Sequence, residues 1–161
     1  MKYFKTLMAF CSMLLLSSCI GFEGDDGFRS QYKAVIMSRE ALESAIAVQS
    51  PQVVTQPGKI YIKDGMLFIT EVNKGFHVYN YTNAQSPVPV AFIKVPGATD
   101  VAVRGTNLYI NQATDLVTLS YSTTAVTVTN RNRNVFPQKP APDNSYTNLG
   151  EDDIITDWIL K

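Results

Sequence analysis

Histidine occurs once in this chain, tryptophan once and cysteine twice, and both cysteines fall within the first nineteen residues. With His77 alone, and Cys11 and Cys19 remote from it, a zinc site of the usual Cys/His kind is excluded. Basic and acidic side chains balance at 14 each, so no positive stripe exists to hold a nucleic-acid backbone. No apolar run reaches the ~20 residues that a helix needs to cross a bilayer. A nucleophile elbow, a phosphate-binding glycine loop and a dinucleotide fingerprint are also missing. The 161 residues, 45% of them hydrophobic, suffice for one modest domain and not for two.

The amino terminus carries the first positive signal. Lys2 and Lys5 precede an apolar stretch over residues 7–16, which runs into Leu16, Ser17, Ser18 and Cys19. A basic start, a short apolar segment and small residues before a cut site predict a signal peptide over residues 1–18. Leu-Ser-Ser-Cys resembles the lipobox of bacterial lipoproteins, in which the Cys thiol is diacylated before cleavage just ahead of it. That resemblance implies a mature chain beginning at a lipidated Cys19. Two acyl chains or more exceed what stable membrane attachment requires, so the expected location is the cell envelope, on the outer membrane, with either face open. Cleavage removes Lys2 and Lys5 and leaves 12 basic against 14 acidic residues, and it removes Cys11, so no disulfide is expected. Residues 19–30 follow as the acylated Cys and a Gly- and acid-rich tether. Glu23, Asp25 and Asp26 suit a solvated linker and an acidic surface-export patch equally well.

Residues 31–56 are expected to form a short helix and an extended connector. Ser38 is a plausible N-cap, Glu40 suits the first turn, and Leu42, Ala45 and Ile46 share a face, which predicts a helix over 39–47. Tyr32 to Met37 ahead of it reads as a strand. Pro51 and Pro57 bracket the connector, each biasing its predecessor away from helix.

From Pro57 the chain writes one pattern twice, over 57–95 and 96–136, each time opening on Pro-Gly and running four apolar pulses separated by turns. Lys63-Asp64-Gly65 and Arg104-Gly105-Thr106-Asn107 occupy the same hairpin position. Aligned on these hairpins, Ile60 answers Val101, Ile62 Val103, Leu67 Leu108, Phe68 Tyr109 and Ile69 Ile110; further on, Phe76 answers Leu116, Tyr79 Leu119 and Tyr81 Tyr121. These positions are the expected core. A period of roughly forty residues with about four strands is the signature of a β-propeller blade. The expected fold is therefore all-β: two β-propeller-type four-stranded blades, an incomplete propeller, with a short N-terminal helix. Residues 137–161 read as a Pro-rich loop and an incomplete C-terminal segment. Two blades cannot cover their own faces, so further blades or self-association are expected partners.

The runs MSREALESAI, PGKIYIKDGMLFITE, GFHVYN, AFIKVPGATDVAVRGTNLYI, DLVTLSY and NVFP resemble the bacterial LVIVD-repeat family, β-propellers often found as envelope lipoproteins. The resemblance covers residues 32–161. It implies a ring of several blades and an amino-terminal part of a longer product, in preference to a short paralogue closing by oligomerisation. Phe76-His77-Val78-Tyr79-Asn80 and Leu116-Val117-Thr118-Leu119-Ser120 stand where the family strand ends in Asp, and both replacements keep a side chain that bonds its own backbone.

Candidate chemistry is sparse. His77 lacks an assignable carboxylate partner, and Glu151, Asp152, Asp153 and Asp157 lack the spacing of a calcium loop. First strands of propeller blades face the channel, so Asp100 and Arg104 are candidate channel-mouth residues. Tyr61, Tyr79 and Tyr109 are candidate surface aromatics, since Tyr suits binding surfaces; packing between blades suits them as well. No metal or other cofactor is expected. The reading is a membrane-anchored lipoprotein whose repeats serve as a non-catalytic binding or scaffold module for protein or glycan partners. A propeller-based hydrolase or lyase and a fragment without independent activity are the alternatives.

Overall fold

The computed structural model describes residues 29–122 and 125–161. The expected signal peptide, Cys19 and most of the expected tether lie outside these residues. Among the described residues no helix is long and apolar enough to cross a membrane.

The described residues are all-β, with open antiparallel sheets and one helix among them. Strand β1 (Tyr32–Ser38) leads into helix α1 (Arg39–Ser44), where the Ser38 hydroxyl accepts from the Ala41 N–H at 3.2 Å and Glu40 sits in the first turn. The helix is one turn shorter than the expected 39–47. Ile46 and Val48 favour extended backbone, and β2 (Ala47–Gln49) pairs with the edge of a sheet, a gain available only in the folded chain.

Sheet 1 is the meander β3 (Pro57–Lys63), β4 (Met66–Glu71), β5 (Gly75–Asn80) and β6 (Val88–Lys94), extended to five strands by β2 beside β6. Sheet 2 is the meander β7 (Ala98–Arg104), β8 (Asn107–Gln112), β9 (Asp115–Tyr121) and β10 (Val126–Asn132). All eight strands fall where the doubled pattern puts them. Their registers correspond: Lys63 faces Met66 in the first hairpin as Arg104 faces Asn107 in the second, and Leu67 faces Tyr79 as Leu108 faces Leu119. Asp64 (φ 50°) and Gly65 (φ 74°) give the first hairpin the two left-handed residues that match the twist of its strands.

The sheets pack on one another through unlike faces. The front of sheet 1 contributes Tyr61, Phe68, Phe76, Val78, Ala91 and Ile93; the back of sheet 2 contributes Val101, Leu108, Ile110, Val117 and Leu119. Full burial of each large side chain in this core contributes about 1.5–3 kcal/mol. Phe68 meets Tyr121 edge to face with centroids 6.1 Å apart, and the Tyr61 hydroxyl donates to the Val103 carbonyl at 3.3 Å. The expected core thus needs correction at Ile60 and Ile62. They alternate just as Val101 and Val103 do, but they lie on the back of sheet 1 and are 63% and 52% exposed. Burial here is set by what covers each part of a face: Val101 meets sheet 1, whereas on the back of sheet 1 the connector 50–56 reaches Glu71 and His77 and leaves Ile60 and Ile62 open.

The carboxyl-terminal segment is strand β11 (Asp153–Leu160), antiparallel to β1 in a separate two-stranded sheet. It joins the rest through α1, where the Arg39 N–H donates to the Asp152 carbonyl at 2.9 Å, and through Asp157, which accepts from Asn73.

Candidate functional site

The two candidate residues of β7, Asp100 and Arg104, are not brought together. Lys59 and Asp100 occupy corresponding positions in β3 and β7, and their side chains form an ion pair that links the sheets. Asp100 also caps the Val101 N–H at 2.9 Å. Arg104 is exposed at the far end of β7, next to the hairpin turn and away from Asp100. The three candidate tyrosines do not share a surface. Tyr61 is half-buried between the sheets, Tyr79 is on the back of sheet 1 and Tyr109 on the front of sheet 2.

The titratable groups of most chemical interest are buried and structural. Glu71, 3% exposed at the end of β4, accepts from the Thr55 N–H at 3.0 Å, the Gln56 N–H at 2.7 Å, the Thr55 hydroxyl and His77 Nε2 at 2.9 Å. An ionised carboxylate only accepts, so Nε2 carries the proton in this contact. Burial acts to raise the Glu71 pKa, but the hydrogen bonds from Thr55, His77 and Gln56 outweigh it and lower it from 4.5 to about 2. His77 is 2% exposed, stacks at a tilt on Phe92 with centroids 4.9 Å apart, and leaves Nδ1 without a partner among the described residues. This group clamps the connector 50–56 to sheet 1. The sequence leaves His77 without an assignable carboxylate because Glu71 and its donors come from three segments. The doubled register does carry a signal for it: Glu71 stands at the Gln112 position and His77 at the Val117 position, a polar pair on neighbouring strands of one repeat only.

Stability should follow the charge of Glu71. A carboxylate lowered below its ordinary value contributes stability that is present above about pH 4.5 and is lost as pH falls toward about 2. Urea midpoints measured across that window are expected to fall for the native chain. They should fall less steeply for Glu71→Gln, and parallel curves would refute the role.

A second buried carboxylate, Asp115, opens β9. Arg39 reaches it at 2.6 Å and Arg131 at 2.7 Å, the Asn134 N–H donates at 3.1 Å, and Arg131 also binds Gln112 at 2.8 Å. Burial raises the Asp115 pKa, but the two guanidiniums and the Asn134 amide lower it further, below the usual carboxylate value. The Gln112 amide donates to the Leu42 carbonyl at 3.2 Å, so the cluster bolts α1 and β10 to the β8–β9 turn.

A concave surface with accessible rings lies elsewhere, where the segment after β10 folds over β11. Trp158, Tyr146, Lys139, Asn144, Ser145 and Thr147 line a cleft of about 310 Å³. The Trp158 indole N–H donates to the Lys139 carbonyl at 3.0 Å, and Tyr146 is 100% exposed. Burial lowers the Lys139 pKa against the opposing charge of Asp157. Ser30, Asp143 and Ser145 are joined by hydrogen bonds that fix the rim. Residues 137–150 carry no helix or strand, and contacts more than one hundred residues apart in the chain, Ser30 with Asp143 and Ser145, fix their path. No cluster of three or more metal-binding side chains occurs among the described residues.

The site and fold define an all-β protein of repeated antiparallel sheets with an aromatic cleft. Comparison of the chain with family models, curated proteins and solved structures gives no match.

Proposed function

We propose that the chain is an envelope lipoprotein, held to the membrane by a lipidated Cys19, whose sheets are propeller-type repeats of the LVIVD kind acting as a non-catalytic scaffold for a protein or glycan ligand. The observation that carries the binding reading is the division of labour among its polar groups. Glu71 and Asp115 have their oxygens occupied by structural donors, whereas the exposed Tyr146, the half-buried Trp158 and the polar side chains of Asn144, Ser145 and Thr147 line one cleft. Aromatic faces flanked by Asn, Ser and Thr suit the apolar faces and hydroxyls of a sugar, which makes a glycan the favoured ligand. The propeller reading is supported by the corresponding registers and by the adjacency of Lys59 and Asp100 on the first strands.

A glycan and peptide array probed with the full chain tests this reading. Binding to a glycan subset is expected, and Tyr146→Ala, which removes a side chain with no burial to lose, should weaken it roughly tenfold. Turnover of a glycoside or peptide ester that is abolished by changing His77, Asp100 or Arg104 would replace the scaffold by the enzyme reading.

A further inference from the structure

Because the repeats share one register, the contact between the two sheets can be transposed residue by residue. The back of sheet 1 corresponds to the buried back of sheet 2, and the front of sheet 2 corresponds to the buried front of sheet 1. Each sheet therefore keeps open part of the kind of face that its neighbour covers: on the back of sheet 1 the open part is that of Ile60 and Ile62, beside the part around Glu71 and His77 that the connector 50–56 reaches. We infer that the open back of sheet 1 docks the open front of sheet 2 of a second copy of this chain, so that copies associate head to tail through the contact already made inside each one. This inference rests on the propeller-type reading of the repeats and concerns a surface separate from the aromatic cleft.

Three transposed contacts favour a second copy as the occupant. Inside the chain Phe68 packs edge to face on Tyr121. The counterpart of Phe68 is Tyr109 and that of Tyr121 is Tyr81, whose N–H donates to Gly65 as that of Tyr121 donates to Thr106. The transposed pair is again two aromatic rings, Tyr109 of one copy against Tyr81 of the next. Lys59 and Asp100 are counterparts of one another and form the internal ion pair. Transposition sets Asp100 of one copy beside Lys59 of the next, so the signs stay complementary and Lys and Asp alternate along the inner strands. The exposed Ile60 stands where Val101 is buried, and the facing surface holds a cavity of about 270 Å³ over Tyr109 and Leu116. A surface joining unlike faces is heterologous and closes only as a ring. Propellers close with about four to eight sheets, which the two meander sheets of the described residues would supply as about two to four copies.

The test uses the full chain in detergent with two distinguishable tags. Wild type is expected to co-purify with wild type, and Lys59→Asp/Asp100→Lys with itself, because both pairings keep opposite signs within and between copies. Wild type mixed with the double variant sets like charges together at the new contact and should lose at least threefold in co-purification. Ile60→Asp, at an exposed position, should keep the far-UV circular dichroism of the native chain and lower association at least tenfold; if it unfolds, the charge-swap mixing decides. A monomer at micromolar concentration, or association indifferent to the charge arrangement, overturns the docking. Glycan binding by that monomer would leave the cleft reading standing.

Discussion

Gly75→Ala is expected to remove a large part of the stability of the native fold. Gly75 opens β5 with φ of 147°, a region that side-chain-bearing residues rarely enter, and a Cβ built there would lie 2.0 Å from the Ile93 carbonyl oxygen. That oxygen belongs to the backbone of the adjacent strand, so relief requires prising β5 from β6. The Glu71–Gly75 turn and the Phe76–Ile93 row of the core would move with it. Backbone strain and lost packing together are expected to cost about 4–5 kcal/mol, a large part of the stability of a domain this size. Thermal unfolding followed by circular dichroism checks this. A midpoint within a few degrees of the native one would mean that β5 and β6 are not in the described register.

Asp115→Ala should be nearly as damaging, for an electrostatic reason. The substitution leaves the guanidiniums of Arg39 and Arg131 facing one another without their shared anion, and it orphans the Asn134 N–H. Breaking a buried pair by removing one partner costs about 3–5 kcal/mol. Asp115→Asn keeps the shape and some hydrogen bonding, so it is expected to lose about half as much. Urea denaturation of the three chains gives the order native, Asn, Ala. Equal stability of all three would mean that the cluster is solvated and does not hold α1 to sheet 2. The corresponding position in sheet 1 is Gly75, so the same point of the repeat serves as a close backbone approach in one sheet and an ionic bolt in the other.

The strands were readable because each is bounded by turn residues with a stated conformational role. Asp64-Gly65 and Gly105 take positive φ, and composition marks both places as turns. The N-cap at Ser38 was readable for the same local reason. Facing was not readable. Ile60 and Val101 are equivalent in pattern, and one is exposed and the other buried because burial belongs to the pair of sheets rather than to the strand. Pairings such as β1 with β11 and β2 with β6 lie beyond local signals too, since nothing in Ala47–Gln49 names its partner. The clusters around Glu71 and Asp115 escaped for a related reason. Each draws donors from several segments, and only the mismatch between repeats, Glu71 against Gln112 and Gly75 against Asp115, marks the positions in sequence.

The head-to-tail use of unlike faces links the repeat, the exposed Ile60 and the alternating Lys59 and Asp100 in one account. Native mass spectrometry of the full chain released from detergent tests it most directly. The account predicts one discrete assembly of about two to four copies, reduced to monomer by Ile60→Asp. A monomeric mass for the native chain, or a broad ladder of sizes that Ile60→Asp leaves in place, would contradict it.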